Sequence, residues 1–103
     1  DGEWDEDFTV LAPSTSGATH SRIAVDEDGH VAVLYRDSNA SEIWIRQIAK
    51  GSTTWASAFQ VETKGDFVAA TDQPGFALDG DGNPIVVWRT NALPIRLVMS
   101  ICR

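Results

Sequence analysis

One stretch that occurs twice decides the fold of this chain: IAVDEDGHVAVLYR at residues 23–36 and FALDGDGNPIVVWR at residues 76–89. The offset between the copies is 53 residues, from Asp26 to Asp79. Each copy holds an apolar triplet, an Asp-x-Asp-Gly segment, an apolar run, an aromatic residue and an arginine. Asp and Gly favour tight turns, and the flanking apolar runs favour strands, so each copy predicts a β-hairpin.

Short β-rich segments separated by turn residues continue along the rest of the chain, and no segment shows a period of 3.6 residues. The sequence therefore predicts an all-β fold. The second strand of each hairpin is apolar on both faces, which is typical of a strand packed between two sheets. We expect these side chains to be largely buried: Ile23, Val25, Val31, Val33, Ile43, Ile45, Val61, Leu78, Ile85, Val87, Ile95 and Leu97.

The repeat extends beyond the hairpin. Ile43 matches Ile95 at an offset of 52, and Trp55 matches Trp4 at an offset of 51. The first strand of the chain therefore corresponds to the fourth strand of a repeat. The chain reads as two four-stranded repeats, cyclically shifted: residues 1–12 complete a neighbouring repeat, residues 19–63 form a whole one, and residues 73–103 supply three strands.

A four-stranded repeat of about 50 residues is typical of a β-propeller blade. Two blades alone leave two broad sheet faces uncovered, so we expect the chain to associate with copies of itself. The strand Trp4–Ala12 of one chain would pair with Pro94–Ile101 of its neighbour. A ring of six blades, a trimer, is favoured over four or eight blades. The competing interpretation is that the chain was cut from a longer propeller.

The repeats resemble those of sialidase-like propellers, in residues 24–35 and in the segment GSTTW at residues 51–55. The Asp-box of that class reads Ser-x-Asp-x-Gly-x-Thr-Trp. Gly51, Thr54 and Trp55 fit its end loosely, with one extra residue between the glycine and the threonine, whereas Gln47 and Ala49 stand roughly where its serine and aspartate belong. The resemblance implies a propeller fold built from blades with a degenerate Asp-box.

Composition excludes several classes of partner. The net charge of −7 and the pI near 4.5 argue against nucleic acid and against anionic membrane surfaces. No apolar run approaches the roughly 18 residues of a membrane span. The acidic start shows no signal peptide, but an exported chain whose signal was removed would look the same, so both extracellular and cytoplasmic locations stay open.

The sequence predicts neither a metal site nor a cofactor. His20 and His30 have no second histidine or cysteine at ligand spacing. The segment 79–83 resembles the start of a calcium loop, but the twelfth position is Thr90 rather than glutamate, so we interpret it as a hairpin turn. The single cysteine, Cys102, cannot form an internal disulfide and is expected to be an inert thiol near a strand end.

Catalytic residues are not predicted either. Ser14, Ser16, His20 and Asp26 could be assembled into a triad only on paper, because no nucleophile-elbow motif accompanies them. Glycoside hydrolysis needs two placed carboxylates, and the acidic residues lie mostly in predicted turns.

Five residues are candidates for ligand contact. Arg36 and Arg89 occupy equivalent strand ends, where arginines could bind carboxylates or sugar anions, or could instead pair with Asp37 or Asp72. Trp44 aligns with Arg96, which indicates an exposed position. His20 precedes an inner strand, although a structural histidine is the alternative there. The predicted set is Arg36, Arg89, Trp44, His20 and Asp72.

These features predict a ligand-binding module, lectin-like or peptide-binding, in an oligomeric propeller. Repeated shallow sites in such a ring raise avidity without new contacts. Two alternatives stay open: a structural or engineered propeller fragment without a ligand, and the remnant of a sialidase-like glycoside hydrolase. An enzyme is not the expected outcome.

Overall fold

A computed structural model of the chain describes residues 10–12, 17–37, 42–61, 74–90 and 94–102. These segments contain seven strands, and nothing helical in them is long and apolar enough to cross a membrane. The all-β prediction is therefore confirmed. The strands are β1 (Ala18–Val25), β2 (Val31–Asp37), β3 (Glu42–Ile48), β4 (Phe59–Gln60), β5 (Gly75–Leu78), β6 (Pro84–Arg89) and β7 (Leu97–Ile101).

The strands form two antiparallel sheets. Sheet 1 has the order β1-β2-β3-β4, and sheet 2 has the order β5-β6-β7. Residues 10–12 belong to neither sheet, and residues 1–9 of the predicted first strand lie outside the described residues. The described residues thus contain a four-stranded sheet in the region of the first predicted repeat and a three-stranded sheet in the region of the second.

The two hairpin turns are built alike. Asp26 accepts hydrogen bonds on Oδ1 from the amides of Asp28 and His30, both at 2.9 Å. Asp79 does the same with the amides of Asp81 and Asn83, again at 2.9 Å. Each turn ends on a glycine with positive φ, +89° and +82°, which a residue with a Cβ rarely adopts. The Asp-x-Asp-Gly segment is thus a turn in which the first aspartate holds the backbone.

The third strands pair with a shift that the sequence alignment missed. Trp44 lies opposite Tyr35 in sheet 1, and Val98 lies opposite Trp88 in sheet 2. The structural offset between β3 and β7 is therefore 54 residues, not the 52 obtained by aligning Ile43 with Ile95. A shift of two residues leaves every side chain on the same face of a strand, so it does not disturb the hydrophobic pattern.

The core lies between the two sheets. Leu34, Ile43 and Ile45 of sheet 1 are at most 1% exposed, and they pack with Val86 and Trp88 of sheet 2. We call these two surfaces the inner faces. Strand register assigns the alternate residues to the outer faces. The outer face of sheet 1 includes Ile23, Val25, Val31 and Val33, and that of sheet 2 includes Ile85, Val87, Leu97 and Met99.

The two inner faces are not equivalent in the repeat. Leu34 on the inner face of sheet 1 corresponds to Val87 on the outer face of sheet 2, at the offset of 53. Val86 on the inner face of sheet 2 corresponds to Val33 on the outer face of sheet 1. The sheets therefore pack head-to-tail, each through a different side of the repeat.

The predicted core is partly wrong for the same reason. Ile43, Ile45 and Val61 are buried as expected. The side chains predicted to be buried but found exposed are Ile23 (66%), Val25 (61%), Ile95 (51%) and Leu97 (76%). Val31, Val33, Leu78, Ile85 and Val87 are half-buried. The outer-face residues among them are uncovered because within one chain only one face of each sheet has a partner. Leu78 instead lies at the margin of the core, and Ile95 precedes β7.

Two leucines on opposite sides of this arrangement test it. Leu34→Ala should lower the free energy of unfolding by about 2–5 kcal/mol, because a fully buried leucine leaves a cavity. Leu97→Ala removes the same atoms from a side chain that is 76% exposed. It should therefore lower the free energy of unfolding much less than Leu34→Ala does. Chemical denaturation at low protein concentration measures both, and equal losses would contradict the assigned faces.

Candidate functional site

The two sheets are aligned so that equivalent ends lie together. Arg22 Nε donates to the carbonyl of Pro74 at 3.1 Å, and Gln47 Nε2 donates to the carbonyl of Gly82 at 3.2 Å. The Gly82 turn also approaches the side chains of Asp26 and His30. Both Asp turns therefore lie at one end of the molecule, which we call the turn end, and the opposite end is the arginine end.

Arg36 and Arg89 occupy matching places at the arginine end, each at or next to the last residue of its central strand. They differ in burial. Arg36 is 3% exposed and lies on the inner face of sheet 1, whereas Arg89 is half-buried on the outer face of sheet 2. A ligand could reach the Arg36 guanidinium only by entering between the sheets.

His20 lies on a β-bulge at the same end. Thr19 pairs with Arg36 and Arg22 pairs with Leu34, so His20 and Ser21 together face one residue of β2. The backbone of His20 has a φ of +53°, an uncommon conformation for a residue with a side chain. Its Nδ1 lies 3.1 Å from Thr19 Oγ1. Bulges re-aim side chains and are frequent beside binding sites, so the bulge strengthens the candidacy of His20.

Trp44 is half-buried on the outer face of β3, two residues from the strand start. Its Nε1 donates to Glu42 Oε1 at 3.3 Å, and Gln60 Nε2 donates to the other carboxylate oxygen at 3.0 Å. Glu42 thus holds the indole with both oxygens engaged. The structural counterpart of Trp44 is Val98, not Arg96, so the alignment that suggested an exposed position was wrong.

The sequence reading missed Tyr35, which lies opposite Trp44 and beside the bulge. Tyr35 is 5% exposed. Burial raises the pKa of its phenol, the charge of Asp37 raises it further, and Arg46 acts in the opposite direction. The aromatic position that Tyr35 shares with Trp88 at the offset of 53 was the signal for it in the sequence.

In the register of sheet 1, His20, Arg36 and Trp44 are all placed next to Tyr35, but Arg36 lies on the inner face and Trp44 on the outer face. We call this set the arginine-end corner. Its indole and imidazole are half-buried and could stack on a ring or a cation, whereas the guanidinium of Arg36 is buried on the other side of the sheet. Asp72 lies outside the described residues, so its place relative to the corner stays a prediction.

The turn end carries several acidic residues. In Asp26, both carboxylate oxygens are engaged in hydrogen bonds within the turn. Burial alone would raise the pKa of Asp26, but hydrogen bonds from the amide and ring of His30 outweigh it and lower that pKa. His30 Nδ1 lies 2.7 Å from Asp26 Oδ2, so both carboxylate oxygens serve the turn. Within the described segments no group of three histidine, cysteine or acidic residues could hold a metal ion.

Arg46 is a further residue that the sequence reading passed over. It lies on the outer face of sheet 1 and donates to the carbonyls of Ala56 at 2.8 Å and Trp55 at 3.5 Å. It also donates to the carbonyls of Val10 at 3.4 Å and Leu11 at 3.3 Å. One guanidinium thus ties the N-terminal segment to the outer face of sheet 1.

Comparisons with protein-family models, curated proteins and solved structures find no match to this chain. The resemblance to sialidase-like repeats therefore stays a prediction, and the function is argued from the geometry.

The pKa of Tyr35 can be measured directly, because it is the only tyrosine in the chain. Tyrosinate absorbance should give a midpoint above 10.0 in the folded protein and one close to 10.0 in denaturant. Because the folded pKa is raised, the stability contributed by Tyr35 is complete below pH 10.0 and is lost as the pH rises through the folded pKa. Tyr35→Phe should reduce this alkaline loss, and a folded midpoint at or below 10.0 would contradict the burial argument.

Proposed function

We propose that the chain is a building unit of a β-propeller and that the closed ring is a ligand-binding module. The observation that carries the proposal is the head-to-tail packing of the two sheets. Contacts through like faces would close by two-fold symmetry after one pairing. Contacts through unlike faces always leave one face of each kind exposed, so they repeat until a ring closes or a filament grows.

The expected ring contains six blades from three copies. Propellers have about four to eight blades, so two blades per chain permit two, three or four copies, and the middle value avoids both extremes. The strand Trp4–Ala12 of one copy would pair with Pro94–Ile101 of the next and complete sheet 2. Support comes from Arg46, which holds Val10 and Leu11 on the outer face of sheet 1. Further repeats in a longer protein are the alternative route to closure.

The ligand proposed for the ring is a carbohydrate or a peptide, bound at the arginine-end corner. The half-buried Trp44 lies beside the bulge at His20, at the arginine-end margin of the outer face of sheet 1, so the ligand would bind at the margin where this face meets the neighbouring copy. Because each copy contributes the corner once, a ring presents several identical sites and gains avidity from them. We favour a binding role over catalysis, because the carboxylate beside Trp44, that of Glu42, accepts hydrogen bonds from Trp44 and Gln60 and so holds the indole in place.

Light scattering on the purified chain tests the ring. We expect a mass of about 34 kDa, three times the 11.2 kDa of one chain. Deletion of residues 1–12 should abolish assembly if those residues complete the neighbouring sheet. A well-folded monomer at high concentration would eliminate the self-assembled ring, whereas about 22 or 45 kDa would keep a ring and change its blade number.

Glycan and peptide arrays test the binding role. Trp44→Ala should abolish binding of any hit while the mass by light scattering stays that of the wild type. Trp55→Ala is the matched control, because Trp55 is a half-buried tryptophan in the loop that follows the turn end of β3. Arg36→Ala is a poor probe, because Arg36 is 3% exposed and its loss would also disturb the core. Equal loss of binding in both tryptophan variants would place the ligand elsewhere. A panel of fluorogenic glycosides addresses the hydrolase alternative.

A further inference from the structure

We propose that the outer face of sheet 1 in one copy is covered by the outer face of sheet 2 in a second copy, in the same arrangement that joins the two sheets within a chain. This inference rests on the proposed ring and specifies its interface. Four side chains that are more than half exposed mark the two surfaces. Ile23 and Val25 project from sheet 1, and Leu97 and Met99 project from sheet 2.

The outer face of sheet 2 repeats the chemistry of the inner face of sheet 1. At the offset of 53, Leu34 corresponds to Val87. At the offset of 54, Ile43 corresponds to Leu97 and Ile45 to Met99. In sheet 1 these positions are at most 1% exposed, so the same kind of surface is already a buried interface in this molecule.

The outer face of sheet 1 likewise repeats the inner face of sheet 2. Ile23 and Val25 correspond to Phe76 and Leu78, which pack against the core cluster. Val33 corresponds to Val86, which is 1% exposed. The two uncovered faces are therefore the two halves of one interface, and each chain carries both halves on opposite sides.

The Asp turns also fit this arrangement. Within the chain, the Gly82 turn of sheet 2 lies against Asp26 and His30 of sheet 1. Gly29 is the counterpart of Gly82 and has the same positive φ. In the proposed contact Gly29 of one copy would approach Asp79 and Asn83 of the other, where a side chain on the glycine would intrude.

The N-terminal segment lies on the side where the second copy would dock. Arg46 is on the outer face of sheet 1, and its guanidinium holds the carbonyls of Val10 and Leu11 there. Val10 is 77% exposed, whereas Val61, its counterpart at the offset of 51, is 6% exposed and belongs to the core cluster. A second copy would give Val10 the apolar neighbours that Val61 already has.

Two single variants and their mixture test this contact. Ile23→Glu places a charge on the sheet 1 side, and Leu97→Glu places one on the sheet 2 side. Because both positions are mostly exposed within the chain, circular dichroism should show an unchanged fold for each. Alone, each variant should lose the assembly and scatter as an 11.2 kDa monomer. Thr53→Glu, at an exposed turn residue with the same added charge, should keep the wild-type mass.

The mixture distinguishes head-to-tail contact from any two-fold contact. The Leu97→Glu chain keeps an intact sheet 1 face, and the Ile23→Glu chain keeps an intact sheet 2 face. Mixed at high and equal concentrations, they should form a dimer of about 22 kDa, twice the chain mass, and nothing larger. Contact through like faces would let one variant pair with itself, and mixing would add nothing.

Three results would overturn the interface: either variant alone keeping the wild-type mass, a mixture that stays monomeric, or a monomeric wild type. The first two, with an intact wild-type ring, would leave the ring standing and reject only this contact. Empty glycan and peptide arrays would reject the binding role without changing any of these masses. A monomeric wild type would favour flanking repeats as the cover for both faces.

Discussion

The structure depends on apolar packing between two sheets that meet through different sides of the same repeat. Leu34 and Ile45 from one sheet and Val86 and Trp88 from the other form that contact. Burial of apolar surface is the main driving force for such packing, and it acts wherever a matching face is available. The strands of this chain are apolar on both sides, but within the chain only one side of each sheet is covered. The exposed isoleucines and leucines follow from that property.

Much of the fold could be predicted from the sequence because the repeat carries its own turn chemistry. Aspartate and glycine recur at the offset of 53, and the structure pairs both hairpins at that offset. The inner face could not be predicted. Alternation of polar and apolar residues identifies the buried side of a strand, and these strands lack it. The true offset of 54 between β3 and β7 could not be told from 52 either, since a shift of two residues leaves each side chain on the same face of its strand.

The candidate site was less predictable than the fold, because it depends on backbone details. His20 lies on a bulge and has a positive φ because of the way β1 pairs with β2. No local sequence motif predicts either feature. Equivalence in the repeat located Arg36 and Arg89 correctly along their strands. It could not show that one is buried while the other is half-exposed. That difference arises because only one of the two equivalent faces has a partner within the chain.

The buried arginine adds a constraint that apolar contact alone lacks. Apolar burial is non-directional, so by itself it defines the register between two sheets less sharply than a polar contact does. Arg36 carries a guanidinium at 3% exposure, and a change in packing that took away its partners would be costly, since an uncompensated buried charge is strongly destabilising. Arg89, the repeat counterpart of Arg36, is half-buried on the outer face of sheet 2, so a second copy that covered this face would bury Arg89 and impose the same requirement for partners.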